Sequence, residues 1–250
     1  MRFHFMNRNI TIHAGDYEEC KDADIVIITA KCTNAKRFKQ IVWKMLKPSI
    51  QIMKSIVSSV MVSGFSGIFI VVSNPVDIMT YLVRKFSGLP AKQVIGSGTA
   101  LDTARLCCSL ASMYDLDSKS VHTFILGEHG DSEMVAWSSS TIGGKSLTDV
   151  MSDNADRTKN ETKETLLEQT KAAGWEIFSR KGNTCYGIAA STTAIVKSIL
   201  FNENRILPVS VLVEGLYGID RVYLSVPTIL NSSGAKETVE IRLLPEERKN

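Results

Sequence analysis

The 250-residue sequence lacks several features that mark whole classes of protein. None of its five cysteines forms a C-x-x-C pair, so neither a disulfide framework nor a zinc site is favoured, and a reducing cytoplasm is the simplest location. No apolar run approaches the roughly 20 residues of a spanning helix, and the N-terminus has no secretory apolar region. We therefore expect no metal, no membrane insertion and no secretion.

A strong net charge is also absent, since 29 basic and 26 acidic residues give a formal charge of +3. This surplus is too small to indicate a nucleic-acid partner. Acidic residues are missing between Asp24 and Asp77, where the charged residues are all basic, and a solvated helix face explains this better than a membrane surface. With 44% apolar residues, the chain can bury one large core or two modest ones.

Two apolar, β-branched runs at residues 24–30 and 67–73 predict parallel strands that are buried on both faces. The segment between them, residues 36–62, has helical spacing interrupted at Pro48, which predicts a helix, a break and a second helix. Strand, helix and strand together form one βαβ crossover.

The next segment begins with Asn74-Pro75, which is expected to open a helix that ends near Phe86. Asp77 is a candidate N-cap, and Gly88 followed by Pro90 marks the end of the helix. A short strand at residues 94–96 follows.

From residue 98 onward the pattern changes to mixed α+β. Helices are predicted over residues 101–113, 159–181 and 185–201, and strands at 121–126, 134–138, 207–213, 222–226 and 238–243. We predict a doubly wound parallel sheet in residues 1–97, followed by an α+β domain in residues 98–250.

Among the histidines, His129 alone is flanked by glycines and acids, in Gly-Glu-His-Gly-Asp at residues 127–131. Glycines permit a tight turn that presents the imidazole at a strand end, and Glu128 and Asp131 can stabilise its protonated form. A plain surface histidine is the commoner outcome for such a loop, and acid/base catalysis is the alternative.

Asp102 and Arg105 are three residues apart, so a helix places them on one face. A helix-surface ion pair is one interpretation. The functional alternative gives them separate partners: Asp102 orients His129, and Arg105 binds a substrate carboxylate through its planar fork. Asn74 follows a buried strand at the end where α/β sheets bind ligands, although a simple Asn-Pro turn explains it equally well.

Four motifs carry a resemblance to a known family. They are residues 73–81 (Ser-Asn-Pro-Val-Asp-Ile-Met-Thr-Tyr), 94–99 (Val-Ile-Gly-Ser-Gly-Thr), 101–105 (Leu-Asp-Thr-Ala-Arg) and 127–132 (Gly-Glu-His-Gly-Asp-Ser). In order and spacing they are similar to the lactate/malate dehydrogenase family, and within it to the L-lactate dehydrogenases. Weaker likeness extends over nearly all of the chain.

The resemblance implies NAD-dependent interconversion of pyruvate and (S)-lactate by a cytoplasmic homotetramer. It makes His129 the acid/base, Asp102 its partner and Arg105 the anchor of the substrate carboxylate. Asn74 would contact both substrate and nicotinamide, and Thr184 would border the substrate pocket. The cofactor-binding residues implied are Thr29, Ala30, Ser73 and Asn74. Glu128 and Trp137 are more typical of lactate than of malate dehydrogenases.

The sequence departs from the family at its N-terminal end. No G-x-G-x-x-G occurs in the 250 residues, so we expect an incomplete Rossmann-type sheet that binds NAD at least about tenfold more weakly, because several phosphate hydrogen bonds are lost. The family's last helix is also expected to be missing. Arg37 is the nearest match to the family's mobile-loop arginine, which polarises the substrate carbonyl, although a plain surface arginine is the alternative.

His122 matches a position that lines the fructose-1,6-bisphosphate effector site of many bacterial relatives. Cys107 stands where that site has an arginine, which argues against activation by a bisphosphate. Two other functions stay open on the sequence: a non-catalytic, truncated or decayed paralogue, and a lactate-like malate dehydrogenase.

Overall fold

The protein was studied as a computed structural model, which describes residues 2–5, 8–30, 42–158 and 161–249. The helices are α1 (Val42–Val62), α2 (Val76–Ser87), α3 (Ala100–Tyr114), α4 (Leu147–Asp153), α5 (Lys163–Lys181) and α6 (Tyr186–Leu200). The first strands are β1 (Arg2–Phe5), β2 (Arg8–Thr11), β3 (Ile25–Ile28), β4 (Ile68–Val71) and β5 (Val94–Gly96). The others are β6 (Val121–His122), β7 (Ile125–Leu126), β8 (Met134–Val135), β9 (Thr141–Ile142), β10 (Lys145–Ser146), β11 (Arg205–Glu214), β12 (Asp220–Asn231) and β13 (Gly234–Thr238).

A six-stranded mixed sheet in the order β13-β12-β11-β5-β4-β3 organises the molecule. β3, β4 and β5 are parallel, as predicted, and β11, β12 and β13 extend them in antiparallel fashion. Small antiparallel ladders join β1 to β2, β7 to β8, and β6 and β10 to β9. The predicted α/β class is therefore confirmed, with both halves of the chain contributing to one sheet.

The two predicted parallel strands differ in burial. All four residues of β4 are buried, but Ile27 of β3 is 44% exposed. Val57 of α1 and Val83 of α2 belong to the core on one face of the sheet, together with Ile28. Ile27 points to the opposite face, where the described residues cover only about half of it, so the expectation of burial on both faces is wrong for β3.

The predicted break at Pro48 is also wrong, because α1 continues through this residue. Met53, Val57 and Val60 of α1 are buried in the core beside β4. Their burial favours a continuous helix although a proline inside a helix removes one backbone hydrogen bond and crowds the preceding turn.

Helix α2 ends as predicted, since Gly88 adopts a left-handed conformation and its N–H donates to the Arg84 carbonyl. Its start differs from the prediction. Pro75 occupies the N-cap position and Asp77 lies within the first turn, so the carboxylate of Asp77 is free for a tertiary role.

In the second half of the chain, several strands and helices begin or end at residues other than those predicted. The strand predicted at 121–126 is divided into β6 and β7, which belong to different sheets, and residues 137–139 form a 3-10 turn. The last strand, β13, ends at Thr238, where the predicted strand began. Helix α5 begins at Lys163, because Thr162 caps it by accepting a hydrogen bond from the N–H of Thr165.

None of the described helices is long and apolar enough to cross a membrane. The described cysteines are free thiols.

Candidate active site

The centre of the site is a pair formed by the buried Asp102 and the partly buried His129. Asp102 lies in the first turn of α3, and His129 lies in the loop between β7 and β8. The Nδ1 atom of His129 is 2.8 Å from Oδ2 of Asp102. Both atoms are buried, and no described residue offers either of them another hydrogen bond. This pairing leaves Nε2 of the imidazole available to a ligand.

Arg105 joins the same pair from one turn further along α3. Its guanidinium donates a hydrogen bond of 3.0 Å to Oδ1 of Asp102. Asp102 thus contacts the histidine, as expected, and the arginine as well. The contact is not a surface ion pair, since the side chain of Asp102 is only 4% exposed. Arg105 donates to one acceptor among the described residues, which leaves further N–H groups for a ligand carboxylate.

A second carboxylate, Asp77, holds the histidine loop in place. Its Oδ2 accepts a hydrogen bond of 3.0 Å from the backbone N–H of His129, and its Oδ1 accepts one of 2.5 Å from the Ser210 hydroxyl. The loop begins at Gly127, which has a φ of +94° and pairs with Ser225 of β12 through two backbone hydrogen bonds. Sequence reasoning missed Asp77, because its partners are 52 and 133 residues away.

The surroundings of His129 favour its protonated form. Burial acts against the charge, but the hydrogen bond and the negative charge of Asp102 outweigh it, so the pKa of the imidazole lies above its ordinary value. Glu133 and Asp77 add to this effect. For Asp102, burial is likewise outweighed, here by His129 and Arg105, and its pKa lies below the ordinary value.

The acids next to His129 in sequence have a smaller part than expected. Glu128 accepts a hydrogen bond of 2.6 Å from the Ser132 hydroxyl, and Asp131 is exposed. The carboxylates that raise the pKa of His129 are instead those of Asp102, Glu133 and Asp77.

Asp102, His129 and Glu133 offer atoms of the metal-ligand type within 4.8 Å of one another. We assign no metal to them, because both oxygens of Asp102 already have partners.

A cleft at the carboxyl ends of β3 and β4 contains three of the four predicted cofactor residues. It is a shallow depression with room for little more than a water molecule, about 10 Å³, and it is lined by Ala30, Ser49, Ile52, Met53, Ser73, Asn74 and Met79. The Ser73 hydroxyl donates to the Ala30 carbonyl over 2.7 Å and so ties the two strand ends together. Thr29 is exposed and does not line the cleft.

The position and the lining of this cleft are relevant to ligand binding. It lies at the carboxyl edge of a parallel sheet, which is where α/β folds bind nucleotides. Its lining is mostly apolar, and Asn74 supplies an amide for orientation. Asn74 is three residues before Asp77, which holds His129, so one short segment adjoins both the cleft and the acid/base pair.

Two other predicted residues, Thr184 and His122, have no hydrogen bond to the pair. Thr184 is in an exposed turn between α5 and α6 and has no hydrogen bond to it. His122 is exposed on β6, and the Cys107 thiol donates to the neighbouring Val121 carbonyl at 3.6 Å. Arg37 lies outside the described residues.

Comparison with known proteins identifies the relatives of this chain. Residues 3–96 match the family description "lactate/malate dehydrogenase, NAD binding domain", and residues 99–250 match "lactate/malate dehydrogenase, alpha/beta C-terminal domain". The sequence is 45% identical to L-lactate dehydrogenase 3 of Bacillus cereus over 97% of this chain and 76% of that protein. It is 44% identical to L-lactate dehydrogenase 1 of Listeria monocytogenes over 95% of this chain and 74% of that protein.

The fold agrees with solved structures. A ligand-bound crystal structure of the minor L-lactate dehydrogenase from Enterococcus mundtii superposes with a TM-score of 0.90 at 44% identity, covering 96% of this chain and 76% of that one. A lactate dehydrogenase from a deep-sea metagenome library gives a TM-score of 0.91. The matches cover both halves of the chain, including the segments that carry Asn74, Asp102 and His129. This chain belongs to the lactate/malate dehydrogenase family.

Proposed function

We propose that this protein is an NAD-dependent L-lactate dehydrogenase that interconverts pyruvate and (S)-lactate. The observation that carries the proposal is the contact of the partly buried His129 with the buried Asp102, with Arg105 beside it and the Asn74 cleft joined to it through Asp77. The relatives at 44–45% identity are named L-lactate dehydrogenases, which supports lactate over malate.

The geometry suits a proton-coupled reduction. When bound, the nicotinamide supplies or accepts the hydride at C2 of the substrate. His129 holds its exchangeable proton at Nε2, because Nδ1 faces Asp102, and it donates that proton to the keto oxygen as pyruvate is reduced. In lactate oxidation the same nitrogen accepts the hydroxyl proton. Asp102 stabilises the imidazolium that each cycle requires.

Substrate orientation is assigned to Arg105 and Asn74. A guanidinium binds a carboxylate through two parallel hydrogen bonds, and Asp102 keeps the guanidinium of Arg105 within the site. Asn74 would contact the substrate and the nicotinamide together. Thr184 is proposed to border the substrate pocket, and Arg37 to polarise the substrate carbonyl.

The cofactor is assigned to the cleft lined by Ala30, Ser73 and Asn74, with Thr29 beside it. We retain the division into residues 1–97 for cofactor binding and residues 98–250 for substrate binding. We also propose a cytoplasmic homotetramer that acts in glycolysis and pyruvate fermentation to lactate, on the basis of family membership. Light scattering of the purified chain measures the oligomeric state.

The test of the proposed function uses the purified 250-residue chain and its His129→Gln variant. NADH fluorescence titration measures cofactor binding, and the pyruvate-dependent fall in NADH absorbance measures turnover. We expect the variant to lose about 10²- to 10⁴-fold in kcat with NADH affinity unchanged. Oxaloacetate at equal concentration is the specificity control. Saturable NADH binding without pyruvate turnover would contradict the proposal, and a preference for oxaloacetate would reassign the substrate.

A further inference from the structure

Glu133 is a buried carboxyl group that the proposed chemistry does not yet use. It follows His129 by four residues in the same loop and is only 4% exposed. Its Oε1 atom is buried, and no described residue offers it a hydrogen bond. An unpaired buried carboxyl group is costly for the fold, so its presence beside the acid/base pair calls for a function.

The position of Glu133 makes it a third member of the cluster at His129. One of its carboxylate oxygens, one of Asp102 and a ring nitrogen of His129 all lie within 4.8 Å of one another. At this separation in a buried site, a full negative charge interacts strongly with an imidazolium.

Several other charged groups face this cluster from the neighbouring elements. Helix α3 contributes Asp102 and Arg105, and helix α2 contributes Asp77 through the His129 backbone. From α5, the Lys171 ammonium donates to the Asp131 carbonyl over 2.9 Å and also attracts the Glu133 carboxylate. The net effect on Glu133 is decided by burial and by Asp102.

Those effects place the titration of Glu133 near neutrality. Burial first, and then the charge of Asp102, raise the pKa of Glu133 to about 7, against the attraction of His129, Lys171 and Arg105. Since the charge of Glu133 in turn raises the pKa of His129, the two groups titrate as a linked pair.

We propose that Glu133 is a positioning residue for the acid/base step, whose carboxylate supports the His129 imidazolium together with Asp102 and so extends proton donation to higher pH. The proposal rests on the proposed function for its role in turnover, but the coupling of the two side chains does not. We assign Glu133 no contact with substrate or cofactor, and its effect is transmitted through His129.

The experiment measures the titration of His129 directly by NMR of histidine-labelled protein, with the His129 signal assigned from its absence in His129→Asn. Glu133→Gln keeps the side-chain shape and removes the charge. We expect it to lower the His129 titration midpoint by about 0.5–1 pH unit. Glu168→Gln is the matched control, because Glu168 is an exposed glutamate 3.6 Å from the same Lys171. It should leave the midpoint unchanged.

A second readout is the pH profile of kcat/KM for pyruvate reduction, which requires protonated His129. The Glu133→Gln variant should lose its protonated His129 at lower pH than the wild type. The decline of kcat/KM with rising pH should therefore begin earlier, and kcat/KM at pH 8 should be about three- to tenfold lower. NADH affinity should stay the same. Glu168→Gln should follow the wild-type profile.

The outcomes separate this proposal from the function it rests on. If the wild type does not turn over pyruvate, the proposed function fails, and the NMR titration alone decides whether Glu133 and His129 are coupled. If turnover occurs and Glu133→Gln moves neither the midpoint nor the profile, Glu133 has no positioning role. Should Glu133→Gln not fold, the wild-type His129 titration must itself show two linked steps, and a single-step curve would overturn the proposal.

Discussion

At the scale of single residues, the Asp102–His129 pair makes the stability of the fold depend on pH. The folded pKa of Asp102 is lowered, so its contribution is present above its unfolded pKa of about 3.9 and is lost as the pH falls through the folded value. The folded pKa of His129 is raised, so its contribution is present below about 6.5 and is lost as the pH rises through the folded value. Both contributions are complete between about pH 4 and 6.5.

Asp102→Asn should therefore cost most stability inside this window. We expect a loss of about 3 kcal/mol in the free energy of unfolding near pH 5.5, because the variant leaves a partly buried imidazolium and guanidinium without their counter-charge. The loss should shrink at pH 3.5 and at pH 8.5. Urea unfolding at the three pH values measures it, with Asp153→Asn, at an exposed ion pair with Lys145, as the control. A loss of equal size at all three values would mean that the pair is not the cause.

Asp77 offers a test of loop positioning at the same scale. Asp77→Ala removes the acceptor of the His129 N–H and of the Ser210 hydroxyl, which should cost about 2–3 kcal/mol in unfolding free energy. The kcat for pyruvate should fall about tenfold, because the loop that positions the His129 imidazole loses its hydrogen bond to Asp77.

The control is Asp77→Asn, which can keep both contacts. Its amide oxygen accepts from His129, and its amide N–H₂ donates to the oxygen of Ser210. It should therefore stay within about 1 kcal/mol of the wild type. Equal damage from Asn and Ala would show that the charge of Asp77, rather than its hydrogen bonds, is what matters.

At the scale of secondary-structure elements, Pro48 is the clearest local conflict. It is exposed and lies inside α1, where a proline costs up to about 3 kcal/mol relative to alanine. Pro48→Ala should raise the unfolding free energy by about 1–3 kcal/mol, reduced by the extra freedom of the unfolded chain. Thermal melts measure the change. Lys47→Ala, at the adjacent exposed position, should change it by less than about 0.5 kcal/mol, and a gain of the same size there would remove Pro48 as the cause.

The elements also show what a sequence can predict. β4, α2 and α3 were predicted to within about two residues, because their apolar periodicity and the glycine after α2 are local signals. The contact between Asp102 and His129 was one of two alternatives on the residues alone, and the family resemblance implied it. Pro48 was predicted wrongly because burial of the residues after it outweighs a local propensity.

The roles of Asp77 and Glu133 had no local signal. Asp77 looked like a helix cap, and its hydrogen bonds depend on segments brought together by β11 and the histidine loop. Glu133 belongs to none of the sequence predictions, because its burial exists only in the assembled fold. Helix α5 was predicted in part. The sequence predicted a start near residue 159, but the helix begins at Lys163, after the capping residue Thr162.

At the scale of the whole molecule, the two halves of the chain meet closely where β5 and the start of α3 contact β11 and β12, a contact called the joint below. Ser210 of β11 lies opposite Gly96 of β5, and this pairing makes the parallel and antiparallel strands a single sheet. The Ser225 hydroxyl accepts a hydrogen bond from the Thr99 backbone N–H. Since Ser210 also binds Asp77, which holds His129, the joint between the halves supports the active site.

Gly98 allows the close approach of the chain at this joint. It has a φ of +51°, and a Cβ atom added to it would lie 2.6 Å from the backbone nitrogen of Ser210 and from the Ser225 hydroxyl oxygen. Gly98→Ala should therefore destabilise the protein on the order of 4 kcal/mol, from backbone strain and overpacking together. Hydrogen exchange should accelerate in β5 and β11. Pyruvate turnover should also fall, because the Ser210 hydroxyl donates a hydrogen bond to Asp77, which in turn positions His129.

Gly143→Ala is the matched control. Gly143 has a similar φ of +57°, but an added Cβ would meet nothing within 4 Å, so only the strain of roughly 1–2 kcal/mol remains. The difference between the two variants isolates the contact across the joint. Equal destabilisation would mean that strain alone is responsible. Loss of stability in Gly98→Ala with normal turnover would mean that the joint holds the sheet together without positioning His129.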